Sequence, residues 1–296
     1  MRTTGNRSDR GAMGVISKLL LAVALFALGV ALLAVTAFYI LPLSIAEQRA
    51  KDSFEEQGVF VSWQSLGRTF PFGLKASGVE VVDIRGKRPL VRLEEAGVRL
   101  DLLGLFSGVL RFPINIRMGR GVITGVADIG RQGVLLDMEA AGVEVDSMPA
   151  VEAMNVRTRA SVGGTLSMRM EWGNCPTGSV RLRSGRVDGA GVSFMGLPLP
   201  LGEIEQAGLN ATLGNCRVVV EGMWLDGSEL SAKLAGVLVP MAPLATSRLD
   251  MALEITPKGD IAEKQWLLSF IGPYRRSSNY YYMTIRGTLA RPVIGR

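Results

Sequence analysis

Along much of the chain, apolar and polar residues alternate one by one. Leu110, Phe112, Ile114, Ile116 and Met118 fall on one side of such a run, and Arg111, Pro113, Asn115 and Arg117 on the other. Leu166, Met168, Met170 and Trp172 alternate with Ser167, Arg169 and Glu171. The same period continues through Val218, Val220, Gly222 and Trp224, through Leu230, Ala232, Leu234, Gly236 and Leu238, and through Leu249, Met251, Leu253 and Ile255. A period of two sends successive side chains to opposite faces of a strand. The pattern therefore predicts antiparallel sheet with one apolar and one wet face. Many runs are longer than the usual strand. Long one-faced strands in series point to a curved or groove-like sheet rather than a compact sandwich. The connections fall in turn-forming clusters such as Arg85-Gly86-Lys87-Arg88-Pro89 and Asp226-Gly227-Ser228.

Helical signals are few. Residues 44–57, rich in Ala, Glu, Gln and Lys and followed by Gly58, predict a helix. Residues 101–107 predict a short one with Asp101 near its N-cap. Residues 260–271 predict about three turns, capped by Asp260 and ended by Gly272-Pro273. Residues 197–208, rich in Pro and Gly, predict a loop or hairpin crossing.

One segment follows neither period. Residues 19–41 are 23 positions without a charge, followed by Pro42. About 20 apolar residues cross a bilayer as a helix. Arg2, Arg7, Arg10 and Lys18 precede the run against Asp9 alone, whereas mixed charge follows it. Basic flanks stay on the cytoplasmic side, which puts the N-terminus inside and the bulk of the chain outside. A cleaved signal peptide is the rival reading. Its apolar core spans about 7–15 residues before a small-x-small cleavage site. The longer run here and the Tyr39-Ile40-Leu41-Pro42 end favour an uncleaved anchor. The expected organisation is a basic cytoplasmic tail (1–18), a single transmembrane helix (19–41), a juxtamembrane helix (42–58) and a mainly β, long-stranded antiparallel domain (59–296).

Composition narrows the chemistry. The formal charge is +6. Half of it sits in the N-terminal tail, where membrane topology accounts for it. No basic run interleaved with aromatics follows, so nucleic acid is not an expected partner. The chain has no histidine. That removes the commonest general base, the commonest zinc ligand and every Ser-His or Cys-His pair. No catalytic, cofactor-binding or metal-ligating residues stand out, and no cofactor and no enzymatic activity are expected. Glu94 with Glu95, and Glu203 with Glu205, read as wet-face residues rather than acid–base pairs. Gly119-Arg120-Gly121-Val122-Ile123-Thr124-Gly125 lacks the dinucleotide spacing and reads as a tight strand connection. Alternation sets Tyr281 with Met283 and Ile285, and Tyr280 and Tyr282 on the other face.

Two features remain as candidate sites. Cys175 and Cys216, the only cysteines, each follow a Gly-Asn pair and precede a strand-like run. In an oxidising compartment they would form a disulfide; the alternative is two buried thiols acting as small apolar residues. The apolar positions Leu110, Phe112, Ile114, Ile116, Leu166, Met168 and Met170 form a candidate binding face. Thirteen methionines, several on these faces, suit an adaptable surface or serve as gap-fillers.

Two segments carry a family resemblance. The C-terminal stretch Tyr282-Met283-Thr284-Ile285-Arg286-Gly287-Thr288-Leu289-Ala290-Arg291-Pro292 resembles the closing G-T-L-x-x-P strand of the type II secretion system protein N family, GspN. Phe70-Pro71-Phe72-Gly73, then Val79-Glu80-Val81, then Asp101-Leu102-Leu103 up to Leu110, resemble that family's opening and the wider AsmA-like set of membrane-anchored β proteins. The resemblance implies a non-enzymatic, single-pass protein of a Gram-negative inner membrane, with its N-terminus cytoplasmic and its bulk periplasmic. It further implies an adaptor or assembly role in protein secretion and other type II secretion components as partners. The AsmA-like side implies an alternative, a lipid-binding or lipid-transfer protein holding phospholipid in an apolar β groove. A domain of this length forms a trough too short to bridge two membranes.

Overall fold

The structure is a computed structural model. It describes residues 36, 38–40, 42–56, 59–83, 88–102, 104, 107–145, 149, 160–188, 193–194, 197–198, 203–241, 246–259 and 269–295. The tail and most of the apolar run lie outside these. Residues 36 and 38–40 are helical. Among the described residues no helix is long and apolar enough to cross a membrane.

Helix α1 (Leu43–Glu56) covers the expected juxtamembrane helix. It carries a half-buried Glu47–Lys51 pair at 2.7 Å, the i,i+4 spacing with the acid N-terminal. The Lys51 ammonium also lies 4.9 Å from the Trp63 ring centre, which ties α1 to the start of the sheet.

The sheet opens with β1 (Val59–Ser62), β2 (Ser65–Thr69), β3 (Gly73–Asp83), β4 (Arg88–Arg99), β5 (Leu110–Met118) and β6 (Gly121–Gly130). It continues with β7 (Gly133–Glu144), β8 (Ser161–Glu171), β9 (Thr177–Ser184) and the short β10 (Val187–Asp188). A separate two-residue pair, β11 (Ser193–Phe194) and β12 (Leu197–Pro198), stands outside it. Then come β13 (Glu203–Gly214), β14 (Arg217–Gly227), β15 (Leu230–Val239), β16 (Arg248–Pro257), β17 (Arg275–Ser277), β18 (Tyr280–Thr288) and β19 (Arg291–Gly295). Seventeen of these strands form one antiparallel sheet.

The pairing is almost a pure meander. Each strand from β3 to β9 pairs with the next. β9 pairs with β13, and the series runs on through β14, β15 and β16 to β18. Each edge is divided between two short strands. β1 and β2 lie end to end along β3, and β17 and β19 along β18. Short edge strands limit edge-to-edge pairing with other chains. No pairing among the described residues joins the two edges, so the sheet is open. At about 4.8 Å per strand it measures about 60 Å along its curve from edge to edge. An open sheet of this many strands curls rather than staying flat.

Irregularities help the curl and reset the pattern. At Ala141 and Gly142 in β7 two residues face one on β8, and Val143 rejoins the apolar face, 3% exposed. A bulge at Glu221 and Gly222 of β14 overturns the sequence expectation there. Val218 and Val220 keep one face, but Met223 and Leu225 replace Gly222 and Trp224 on it, because one extra residue inverts the alternation beyond it. In β3 the apolar positions pass from Leu74 and Ala76 to Val79 and Val81 across Gly78, whose φ of 60° favours glycine.

Three other expectations change. Residues 203–208, expected in a loop, belong to β13. Asp101 forms an isolated bridge with Arg111. Of the helix expected after it, only Leu102, Gly104 and Ser107 are described. Of the helix expected over 260–271, residues 260–268 lie outside the described residues. The part that is described is a 3₁₀ turn (Ser269–Tyr274) that runs through Gly272-Pro273 instead of ending there. The Gly119-Arg120 step is the tight β5–β6 connection.

Among the described residues few side chains are fully buried. A small cluster of Ala160, Val187 and Ile204, packed by Val145, Ala207, Leu225 and Leu230, closes one end of the strands near β10. At the other end Ser247 is wholly buried. Its hydroxyl accepts the Met241 N–H at 3.0 Å and its carbonyl accepts the Leu289 N–H at 2.9 Å. It thereby ties the β15–β16 connection to the β18–β19 turn.

Candidate functional site: an uncovered apolar face

Register assembles the face row by row. One row runs Leu74, Val98, Ile114, Gly125, Met138, Leu166, Val180, Ala211, Val220, Gly236, Met251 and Ile285. The next runs Ala76, Ala96, Ile116, Ile123, Ala140, Gly164, Leu182, Leu209, Met223, Leu234, Leu253 and Met283. Neither row contains a polar side chain from the first long strand to the last. A third row takes in Phe112, Ala127, Leu136 and Met168, and a fourth Leu110, Ile129, Val134 and Met170. The seven sequence-picked residues, Leu110, Phe112, Ile114, Ile116, Leu166, Met168 and Met170, thus lie on one face across β5 to β8.

The opposite face is built differently. Its row Lys75, Gly97, Asn115, Thr124, Glu139, Thr165, Arg181 and Asn210 has no large apolar member. Opposite charges are matched across strands there. Arg111 donates two hydrogen bonds to Asp128, both at 2.8 Å. Lys75 meets Glu95 at 2.8 Å, and Arg286 meets Asp250 at 3.2 Å. The Arg111 guanidinium holds the Asp128 carboxyl below the ordinary carboxylate range, and Lys75 does the same for Glu95. At one strand end the Lys258 ammonium and the Ser231 hydroxyl lower Asp226. Each depressed carboxylate has its own partner, the signature of an ion pair rather than of an acid–base couple. Glu94, Glu203 and Glu205 are exposed. Among the described residues no group of three His, Cys, Asp or Glu is placed to hold a metal.

The apolar face is shielded but not covered. Met118, Val143, Ala211, Tyr281 and Met283 on it are buried. Phe112, Ile114, Ile116, Leu166 and Met168 are half-buried, and Met170 is 37% exposed. Among the described residues no second long-stranded sheet or long helix lies on it. A depression of ≈ 660 Å³ lies at one strand end, where Val134 and Met170 meet Arg131, Arg169 and Glu171.

Sequence reasoning missed part of the face. Val180 and Leu182 of β9 alternate legibly with Arg181 and Arg183. Met223 and Leu225 were hidden by the bulge. Gly125 and Gly164 gave no hydrophobic signal, although they fill the rows, whereas Gly236 falls in its row as the alternation of β15 placed it. Tyr281 and Met283 do share the apolar face, with Tyr280 and Tyr282 on the other.

Cys175, in the β8–β9 connection, and Cys216, in the β13–β14 turn, lie at the same strand end on either side of β9. They are joined as a disulfide with Cα atoms 5.0 Å apart. Asn215 and Cys216 have φ of 51° and 57°. This is the two-residue hairpin turn with both central residues at positive φ, for which Asn is well suited.

No protein-family model, curated protein or solved structure matches the chain.

Proposed function

We propose that this chain is a non-enzymatic component of the type II protein secretion system of a Gram-negative bacterium. Residues 19–41 anchor it in the inner membrane, its N-terminus is cytoplasmic and its sheet is periplasmic. It serves as an adaptor or assembly factor through the apolar face of that sheet. The observation that carries this reading is the pair of unbroken apolar rows, left without a second layer among the described residues. An apolar surface of that extent in a protein whose other face is charged is a binding surface rather than a core. The secretion setting rests on the resemblance of two segments of the chain to the type II secretion protein N family. Phe70, Pro71 and Phe72 turn β2 into β3, and Leu289 and Ala290 turn β18 into β19. These are the first and last hairpins of the sheet, and both lie at the same strand end.

A second reading is favoured by one feature of the rows. They join apolar side chains of every long strand into continuous strips that match an acyl chain in polarity, and each methylene buried there contributes about 0.8 kcal/mol. The occupant would then be phospholipid rather than a partner subunit.

Affinity purification of the full-length protein from its native membrane in mild detergent, after crosslinking in cells, separates the two. Recovery of other secretion components supports the adaptor role. Stoichiometric phospholipid without those proteins replaces it with the lipid-binding role. An eluate with neither rejects both.

A further inference from the structure

We propose that the β2–β3 turn, Phe70 to Phe72, is a second membrane contact. It enters the interfacial layer of the bilayer and sets the first edge of the sheet on the membrane surface. The proposal rests on reading residues 19–41 as a membrane anchor.

The turn is fastened to the end of the apolar run. The Phe38 and Phe72 rings meet edge to face with centres 5.5 Å apart. The Arg68 guanidinium lies 5.5 Å from the Phe38 ring centre and 5.9 Å from that of Tyr39, and it donates a hydrogen bond to the Tyr39 carbonyl. Depth follows from these contacts. Phe38 is the fourth residue from the end of the run. Phe72 touches Phe38, so it sits at the level where the apolar run ends, not farther out beside α1.

The surface around this junction is apolar and uncovered. Phe70 is 75% exposed, Ile40 74% and Tyr39 41%. In water these exposures are unfavourable; at the headgroup–acyl boundary they are favourable. Aromatic rings with an arginine beside them suit that boundary, because the rings take the apolar side and the cation reaches the phosphates. The β1/β2 edge thereby stands at the membrane, and the β17/β19 edge lies about 60 Å away along the curve of the sheet.

The test uses the full chain in vesicles of phosphatidylethanolamine and phosphatidylglycerol. Phe70 is replaced by the photoreactive p-benzoylphenylalanine, and in a parallel chain Val293, which is 63% exposed on the far edge, is replaced likewise. Both positions are exposed enough to accept the bulkier ring. After illumination the adducts are identified by mass. The expected result is roughly tenfold more phospholipid adduct at Phe70 than at Val293, as for an interfacial residue against one in water. Equal labelling at the two sites, or adducts of Phe70 only with a second copy of the chain, overturns the proposal. Alkaline extraction of the same vesicles separates its failure from that of the anchor. Retained chain without a Phe70 lipid adduct rejects the turn contact alone. Released chain without the adduct rejects both. Released chain with the adduct keeps the contact and removes the anchor.

Discussion

At the residue scale the two faces are held by different forces. On the wet face, Arg111 and Asp128 occupy directly opposed positions on neighbouring strands and make a two-pronged contact. Such cross-strand charge pairs contribute about 0.2–1 kcal/mol. Because the folded carboxyl of Asp128 is lowered, its contribution is present above the unfolded value and is lost as pH falls through the lower, folded one. Asp128→Asn should therefore cost about 0.2–1 kcal/mol near neutral pH. The difference from the parent should shrink below about pH 4, the unfolded aspartate value. Urea unfolding at neutral and at acid pH measures both. A penalty that stayed constant into acid would mean that the pairing charge is not its source. The charges of Arg111 and Asp128 were readable in the chain, but their opposition was not, since it depends on the β5–β6 register.

At the scale of elements, alternation identified the strands and turns identified their ends, but irregularities were out of reach. Nothing local in Glu221-Gly222-Met223-Trp224 announces the extra residue that hands the apolar face from Gly222 to Met223. That choice belongs to pairing with both β13 and β15. Gly236 shows the same dependence. A Cβ there would overlap the Asp250 carbonyl and the Met251 backbone, and its φ of 146° is one that side-chain-bearing residues avoid. Gly236→Val should cost about 2 kcal/mol or more, from backbone strain and overlap together. Thermal unfolding followed by circular dichroism would register it, and a variant as stable as the parent would mean that β15 and β16 can separate freely at this point. The disulfide works across elements too, fastening the β8–β9 hairpin to the β13–β14 hairpin beside it. Its 41-residue separation corresponds to about 4 kcal/mol in the chain-entropy model.

At the scale of the whole molecule the defining property is an apolar surface with no second layer on it among the described residues. In a closed core, a charge at Leu166, midway along its row between Met138 and Val180, would be expected to unfold the protein. On an open face it should be tolerated at a cost of about 1–2 kcal/mol, because water still reaches the carboxylate. Leu166→Asp should thus remain folded by circular dichroism and lose most of whatever apolar partner co-purifies with the protein. Val219→Asp, on the opposite face, should keep that partner. Equal loss in both variants would place the partner elsewhere.

Local sequence alone carries the mainly β character of the chain, its long antiparallel strands, and the apolar and polar side of each. These are properties of a period of two and of turn residues, read within a few positions. It also displayed the uncharged run at 19–41, whose length alone suggests an anchor. Strand length pointed to one curved sheet rather than two packed ones, but alternation is common to both arrangements, and the long-range pairing of the strands settled which is formed. Long-range pairing also decided which residues share a row, where bulges invert a face, and that the Phe70–Phe72 turn meets Phe38. None of these is encoded within a single strand.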